Sequence, residues 1–477
     1  MTQAQAPVDA DYLARRRLQR GSAGWVLLAG LGVSYVISGD FAGWNFGIGE
    51  AGWGGFALAA VLMAVMYFAL VLSLAEMSAA IPAAGGGYSF ARQAMGPAGG
   101  YLTGLAVLIE YALAPAAIVV FIGAAVEELV GLDGPLVYAA FYAVFVGIHL
   151  AGVGEALKVM MVISALAVLA ILLTAFALLD DFDADRLWDI PAAAPGGSAA
   201  LPQGWLGVWA ALPFAMWLFL AVEGVPLAAE EAKNPARDVP RGIIGAMLFL
   251  LFTALLVVVL LPGAAGAAAI GESGVPLVTA LQTAGHPALG TLVNVLGMAG
   301  LIASFFSIIY GYSRLVFALS RAGYLPRFLS LTNARKAPAW ALIVPGLVGF
   351  AISLSGAGDL ILAMAVVGAT LSYALMAASH ILLRLRQPAL ARPYRTPGGI
   401  ATSGTALVLS LVALTGVYAF DPRAFGYTLL LFAAGAAWFF AYSRHHLVAR
   451  TADEEFALLA QAEASLEGDA APAATPA

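Results

Sequence analysis

The sequence predicts an all-α protein that crosses a membrane many times. Of its 477 residues 62% are hydrophobic, the mean hydropathy is +0.91 and only 10% are charged, whereas about 25% of the residues of a typical soluble domain are charged. A soluble core has no place for so much apolar sequence. Because backbone groups within a bilayer must find hydrogen-bond partners inside their own segment, the spans are expected to be helices.

Apolar runs between polar, Gly and Pro residues divide the chain into twelve predicted transmembrane helices. A helix needs about 17–25 residues to cross the hydrocarbon core of a bilayer, and each run is of this order of length. The predicted spans are 24–48, 54–80, 99–129, 136–152, 158–179, 205–229, 242–263, 288–319, 340–356, 359–384, 402–420 and 425–443.

The basic residues give the twelve spans an orientation. If the amino terminus is cytoplasmic, all of the 22 Lys and Arg residues except Arg186 and Arg423 lie on the cytoplasmic side or in the cytoplasmic halves of the spans. The positive-inside rule therefore predicts a multi-pass protein of the plasma membrane with both termini in the cytoplasm. Residues 1–23 are then a cytoplasmic N-terminal segment, 180–204 an external acidic loop, and 447–477 a cytoplasmic tail that is partly disordered.

Other classes of protein find little support in the sequence. There is no cysteine, and the five histidines show no metal-ligand spacing, so no metal or other cofactor is predicted. The segment "GIGEAG" at 47–52 matches a nucleotide-binding pattern only formally, because it follows a membrane helix rather than a strand. The basic residues are spread over membrane-side loops, which speaks against nucleic acid as a partner. We therefore expect neither an enzyme nor a nucleic-acid-binding protein.

Two spans carry an acidic residue where the helix is weakest. Asp40 lies in "VISGDFAGWNFGIGEAG" (36–52), and Glu223 precedes Gly224 and Pro226 in "WLFLAVEGVPLAAEEAKNP" (217–235). Paired interrupted helices are typical of transporters built from inverted repeats with a binding site near the bilayer midplane. We therefore predict a five-plus-five inverted repeat with discontinuous helices 1 and 6. The first repeat covers 24–179, the second 205–384, and helices 11 and 12 lie within 385–446.

Buried carboxylates in these spans indicate a cationic ligand or a proton. A carboxylate near the bilayer centre costs at least about 2.5 kcal/mol, so it normally faces the bundle and has a partner. A functional role is favoured for Asp40 and Glu223 over a packing role, while Glu110 in span three is evenly balanced. Glu76 lies near the cytoplasmic end of span two, where a gating or structural role is expected.

The face of an aromatic ring strengthens the binding of an ammonium group by about 0.5–2 kcal/mol. Trp44, Tyr111, Trp217 and Phe219 are the candidates. Most aromatic residues of membrane helices only pack against their neighbours. Tyr111 and Trp217 are favoured because each adjoins a candidate polar residue.

Three segments resemble the amino acid–polyamine–organocation transporter superfamily. These are "GGGYSFARQAMGPAGGYLTG" (85–104), "EEAKNPARDVPRGI" (230–243) and "SRLVFALSRAGYLP" (313–326). They match its loops after helices two and six and the end of its helix eight. Within the superfamily, "SGDFAGWNFGIGEAGWGG" and "IEYALAPAAI" resemble the ethanolamine-permease branch. The resemblance implies the inverted-repeat fold and transport by alternating access.

The resemblance also implies a substrate site. Where the superfamily usually has Gly-Ser-Gly, whose amides hold an amino acid carboxylate, this chain has Ile37, Ser38 and Gly39, followed by Asp40. A substrate carboxylate would be repelled by Asp40, by several kcal/mol at low dielectric. The amine-binding half, in contrast, is retained in the sixth helix.

In that sixth helix, Trp217 matches a gating residue of the superfamily, Phe219 lies beside it, and the carbonyls near Leu220 match those that hold the substrate amine. Ala221 stands where glycine is common, so less complete unwinding is expected there. We therefore predict a permease for ethanolamine or a similar small amine. Asp40 and Glu110 would compensate its ammonium, and Ser38 or Tyr111 would bind its hydroxyl.

The driving force remains open at the level of sequence. The position at which some relatives carry a coupling lysine falls near Ala167, and Ser304 matches a region that binds sodium in others. Membrane potential alone supplies about 2.3 kcal/mol per charge per 100 mV, and a buried carboxyl is able to carry a proton. Uptake driven by the membrane potential alone and symport with a proton or sodium co-ion are therefore both considered. The alternative function is that of a proton-coupled amino acid or polyamine transporter.

Overall fold

The computed structural model describes residues 12, 14–16, 18, 21–83, 85–449, 454, 457–458 and 461. Most of the predicted N-terminal segment (1–23) and of the predicted tail (447–477) lies outside the described residues. Within them, regular structure is helical, apart from one isolated parallel β-bridge between Ala23 and Ala232. The prediction of an all-α protein is confirmed at this level.

The α-helices of the described part follow one another along the whole chain. They are α1 (Trp25–Val36), α2 (Ser38–Phe41), α3 (Phe46–Ala80), α4 (Gly87–Val130), α5 (Pro135–Leu150), α6 (Val153–Leu178), α7 (Gly204–Trp217), α8 (Pro235–Ala265), α9 (Ala267–Gly271), α10 (Pro276–Thr283), α11 (Pro287–Arg321), α12 (Ala339–Ser353), α13 (Gly358–Arg386), α14 (Ile400–Phe420), α15 (Pro422–Trp438) and α16 (Arg444–His446). Short 3₁₀-helices form at Ala184–Trp188, Val222–Glu231 and Arg327–Ser330, and a π-helix at Phe439–Ser443.

Nine helical segments of the described residues are long and apolar enough to cross a membrane. Three shorter apolar helices, α1, α5 and α12, fall within the remaining predicted spans. The protein is thus an integral membrane protein, while the full number of twelve crossings stays a prediction. The third span begins earlier than predicted, because α4 runs from Gly87 through a non-helical residue at Gly96 (φ 76°).

Helix packing encloses the two weak points of the chain. Helix α4 packs along both α13 and α11, α7 packs on α3, and α1 packs on α8 with further contacts to α6 and α11. The short helix α2 contacts α11 and α8. The interrupted first and sixth spans are therefore surrounded by other helices, so polar groups on them are kept from lipid.

Both interruptions are present, each with its own local cause. In the first span, α1 and α2 are separated only by Ile37, which keeps a helical conformation (φ −54°), and Asp40 lies within α2. The chain leaves the helix at Ala42 and reaches α3 through Gly43, whose φ of 95° favours glycine. The break therefore follows Asp40 and does not lie at residues 37–39, where the sequence placed it.

In the sixth span, α7 ends at Trp217 and the 3₁₀-helix starts after Ala221. Ala221 adopts a left-handed conformation (φ 75°) without being glycine. The expectation of less complete unwinding there stays a prediction.

Candidate functional site

A small cavity lies between α1, α2, α4, α11 and the break in the sixth span. Its accessible volume is about 10 Å³, which is roughly enough for one water molecule. Three predicted site residues, Ser38, Trp217 and Leu220, line it together. The remaining lining residues are Tyr35, Val36, Ile118 and Ile308. The structure therefore brings the two interrupted spans together around one cavity.

Trp217 connects the two breaks directly. Its indole Nε1 donates a hydrogen bond to the carbonyl of Ala42 at 2.9 Å. Its backbone also lies against Gly39, where an added Cβ would be 2.5 Å from the Trp217 carbonyl oxygen. Only glycine permits this approach of the first span to the sixth. The gating role of Trp217 stays a prediction.

The amide expected to be free for a ligand is already used. The backbone N–H of Ser38 donates to the hydroxyl of Ser304 at 3.1 Å, and that hydroxyl donates to the carbonyl of Ser34 at 3.0 Å. Ser304 thus ties the first span to α11. A substrate carboxylate would have to displace the Ser304 hydroxyl before it could accept a hydrogen bond from the Ser38 amide.

Asp40 is buried, but on another side of the first span. Its side chain is 1% exposed, and neither carboxylate oxygen has a hydrogen-bond partner among the described residues. The hydroxyl of Thr253 on α8 lies near this carboxyl but donates its hydrogen bond to the carbonyl of Leu250, at 3.2 Å. Asp40 is not among the residues that line the cavity. Direct contact between Asp40 and a ligand therefore stays a prediction.

Glu110 and Glu223 meet in a second buried layer. The two carboxyls are close enough to interact through a side-chain hydrogen bond. The hydroxyl of Tyr111 donates to Glu223 Oε1 at 2.8 Å, and that of Tyr373 donates to Glu110 Oε1 at 3.2 Å. The other oxygen of each carboxyl has no hydrogen-bond partner among the described residues. Tyr111 thus contacts a carboxylate here, and its contact with a substrate hydroxyl stays a prediction.

Comparison with known proteins identifies the family of this chain. Residues 24–439 match the family described as "Amino acid permease". The protein belongs to the amino acid permease family. The permease is thereby also a member of the amino acid–polyamine–organocation superfamily, as the three motif segments suggested.

Relatives of the permease are similar over nearly their whole length. The branched-chain amino acid permease BcaP of Bacillus subtilis is 26% identical over 87% of this chain and 91% of its own. The methylthioribose transporter of Bacillus subtilis is 25% identical over 86% and 89%, respectively. An uncharacterized transporter of Rhizobium meliloti is 26% identical over 88% and 91%. These names are those of transporters and permeases.

Glu76 holds the ends of two helices of the permease together. It accepts hydrogen bonds from Arg384 Nε at 3.0 Å and Nη2 at 2.5 Å, and from the backbone N–H of Thr396 at 2.6 Å. Arg392 and His380 lie within 3.0 and 3.3 Å of its carboxylate. Glu76 therefore links the end of α3 to the end of α13 and the loop that follows, away from the cavity. A gating role for it stays a prediction.

Phe219 packs behind the cavity rather than in it. Its ring centroid lies 5.6 Å from that of Tyr67, which in turn lies 5.2 Å from that of Tyr373. Neither tyrosine was singled out from the sequence, because a lone Tyr in an apolar span reads as packing. Only the proximity of Tyr373 to Glu110 reveals its role.

The permease is closed on the side of the bundle that carries Ala23. There the backbone N–H groups of Ser22 and Ala23 donate to the carbonyl of Glu231 at 2.9 and 3.0 Å, and the N–H of Lys233 donates to Ala23 O at 2.8 Å. The Glu231 carboxylate is buried against Arg314. This ion pair was missed, although both residues lie in the motif segments that carry the resemblance.

The opposite side of the bundle holds an open depression. Its volume open to the centre of a water-sized sphere is about 360 Å³, and its lining is mostly apolar. Phe41, Ala42 and Gly43 at the break of the first span contribute to its wall, together with Asp359 at the start of α13. The first break is thus reached from this side.

Proposed function

We propose that this permease is a secondary transporter that imports ethanolamine or a closely related small amine by alternating access. Family membership supports a transporter, and the substrate is inferred from the site. One observation carries it: Asp40, Glu110 and Glu223 are buried in the first, third and sixth spans, and none forms an ion pair with a Lys, Arg or His of the described residues. A ligand ammonium supplies the positive charge that such a site lacks.

The same region disfavours a substrate that carries its own carboxylate. The Ser38 amide is taken by Ser304, and Asp40 adds a negative charge beside it. Two like charges at close range in a low-dielectric site repel strongly. A small amine with a neutral hydroxyl avoids both costs, and Ser38 Oγ or the unpartnered hydroxyl of Tyr35 at the cavity is a hydrogen-bond partner for it.

The proposal includes the architecture and location expected from the sequence. Twelve spans, inverted repeats over 24–179 and 205–384, two further helices in 385–446 and an external loop at 180–204 would give both termini a cytoplasmic position in the plasma membrane. Residues 1–23 and 447–477 would be the cytoplasmic ends. Within this arrangement the open depression faces outward and the Glu231–Arg314 pair lies inward.

Uptake by purified protein in liposomes tests the function. Radiolabelled ethanolamine is supplied outside while a membrane potential and a pH gradient are imposed independently, with protein-free liposomes as control. Accumulation that unlabelled ethanolamine suppresses, and that neutral amino acids do not, supports the proposal. Absence of ethanolamine uptake under every gradient, with uptake of a neutral amino acid by the same preparation, contradicts it.

A proton-coupled amino acid transporter is the second candidate. The cavity wall contains four aliphatic side chains, Val36, Ile118, Leu220 and Ile308, which suit an apolar side chain. Two of the relatives, from Bacillus subtilis and Lactococcus lactis, are named branched-chain amino acid permeases. Strong competition of leucine or isoleucine with ethanolamine in the same assay favours this candidate. A polyamine substrate is distinguished there by competition with putrescine.

A further inference from the structure

We propose that Glu110 and Glu223 share one proton and that this proton is the ion coupled to transport. The inference rests on the proposed function as a secondary transporter. It goes beyond that function by naming the co-ion and the two side chains that hold it. From the sequence, Glu110 was expected to compensate the substrate ammonium and Glu223 to belong to the substrate-binding site; here the two residues hold a proton.

The contact between the two carboxyls requires a proton. Glu110 is 0% and Glu223 3% exposed, so water does not screen their charges. While the pair is shielded from water, two ionised carboxylates side by side repel each other strongly, so one of them takes up a proton. A hydrogen bond between the two groups likewise needs one acid and one carboxylate. Where the site opens to water, the solvent screens this repulsion and both carboxyls can be ionised.

The side chains that face the pair add no positive charge, so a proton is what lowers the charge of the pair from two negative charges to one. Tyr35 of α1, Tyr67 of α3, Tyr111 of α4 and Tyr373 of α13 surround the pair, and all are buried. As phenols they donate hydrogen bonds without adding positive charge. No Lys, Arg or His of the described residues forms an ion pair with either glutamate. On α11, the nearby Arg314 is bound to Glu231 instead.

Glycines make the meeting of these groups sterically possible. A Cβ at Gly224, next to Glu223, would lie 2.6 Å from the Tyr111 hydroxyl and 2.7 Å from Tyr35. A Cβ at Gly368 on α13 would lie 3.0 Å from the backbone N of Glu110. Helix α13 therefore lies close to the backbone of α4 beside Glu110, and Tyr373 of α13 donates to its carboxyl.

Hydrogen bonds and ring contacts of Tyr373, Tyr35 and Tyr111 connect the pair of glutamates to the cavity. The backbone N–H of Ala221 donates to the Tyr373 hydroxyl at 3.3 Å, and that hydroxyl donates to Glu110. Ala221 directly follows Leu220, which lines the cavity. On the other side, Tyr35 lines the cavity and packs against Tyr111, the donor to Glu223, with ring centroids 6.1 Å apart. A ligand that moves Leu220 or Tyr35 therefore changes the hydrogen bonds that hold the proton.

The coupling step conserves atoms and charge. A proton from the side of high proton concentration binds one of the two carboxylate oxygens that have no hydrogen-bond partner, and the pair changes from two negative charges to one. When the cavity opens to the other side, the O–H bond breaks and the proton leaves to water, while the electron pair stays on the oxygen. No oxidant, reductant or other reactant is needed.

Infrared spectroscopy tests the shared proton without any substrate. The C=O stretching band of protonated carboxyl groups is recorded at neutral pH for the wild type, Glu110→Gln and Glu223→Gln. Glu272→Gln, at an exposed position, is the matched control. One protonated carboxyl from the pair in the wild type and none in either pair variant, with no change in the control, supports the proposal; a protonated carboxyl that remains on the second glutamate in each variant contradicts it. An unchanged band in both pair variants overturns it.

Uptake into liposomes tests the coupling. In the wild type, an inwardly directed proton gradient at zero membrane potential should increase substrate accumulation; in each pair variant, uptake with and without the gradient should be equal. A gradient response retained by both variants overturns the coupling, even if the infrared band is lost. If the wild type transports none of the amines or amino acids offered, the proposed function fails, and the infrared result still decides whether the proton is shared.

Discussion

The guanidinium of Arg314 donates two hydrogen bonds to Oε1 of Glu231, at 3.0 and 2.7 Å, and the two side chains are 1% and 0% exposed. The guanidinium also stacks over the ring of Tyr310, 4.1 Å from its centroid, and the Tyr310 hydroxyl donates to the other oxygen of Glu231. This contact binds α11 to the segment that follows the break of the sixth span. It closes one side of the bundle.

Replacement of Arg314 by Ala should destabilise the permease severely. Removal of one partner leaves the Glu231 carboxylate buried without a counter-charge, a change that typically costs about 3–5 kcal/mol. Thermal unfolding in detergent measures the effect. Arg423→Ala is the control, because the Arg423 side chain is 77% exposed and such surface pairs contribute about 1 kcal/mol or less. Equal losses in the two variants would contradict the expectation.

Asp40→Asn should abolish uptake of ethanolamine without removing the protein from the membrane. The change keeps the size of the side chain and removes the charge proposed to compensate a substrate ammonium. Radiolabelled uptake, normalised to the amount of protein in the membrane, measures it. Asp185→Asn, at an exposed position in the loop between α6 and α7, controls for the loss of one acidic residue. Uptake retained by the Asp40 variant would refute the role of its charge.

Ala221→Gly should stabilise the permease, against the usual direction for this substitution. A left-handed conformation is unfavourable for a residue with a Cβ by about 1–2 kcal/mol, and glycine adopts it freely. The melting temperature in detergent is expected to rise. Ala433→Gly, at an exposed position of α15, should instead lower it, because glycine within a helix costs about 0.5–1 kcal/mol. A fall in both variants would show that Ala221 is not strained.

Gly39→Ala should impair both stability and transport. The added methyl group would lie 2.5 Å from the carbonyl oxygen of Trp217 and 3.1 Å from Cα of Leu218, and backbone atoms cannot move aside as a side chain does. Such overpacking typically costs about 1–3 kcal/mol. Gly404→Ala on α14 is the matched control, because nothing lies within 4 Å of a Cβ there. A harmless Gly39 variant would mean that the two spans separate readily.

Sequence patterns found the elements of the site better than their relative positions. The apolar runs and the residues Gly224 and Pro226 were sufficient to predict the break in the sixth span, because these properties are local. Asp40 shows the limit: its burial follows from its apolar neighbours, but the direction of its carboxyl toward Thr253 depends on how α2 is rotated against α8. A rotation about the axis of a short helix leaves no trace in composition or spacing.

Contacts between distant segments were likewise beyond sequence reasoning. Glu110 and Glu223 were both identified as candidates, yet nothing in the chain indicated that they touch each other. Their surroundings come from distant segments: Tyr373 of α13 donates to Glu110, and Tyr111 of α4 donates to Glu223. The pair of Arg314 and Glu231 was overlooked for a different reason, since both residues lie in recognisable motifs and were read as part of the family pattern.

The β-bridge between Ala23 and Ala232 has a consequence for anything attached near the start of the chain. The three backbone hydrogen bonds around it fasten the stretch before the first helix to the stretch after the sixth-span break. A bulky partner that binds residues 21–24 from outside the bilayer, such as an antibody fragment, would either stabilise or break these backbone hydrogen bonds. A ligand of residues 21–24 would thus control the opening of the transport pathway on this side of the bundle without binding in the cavity.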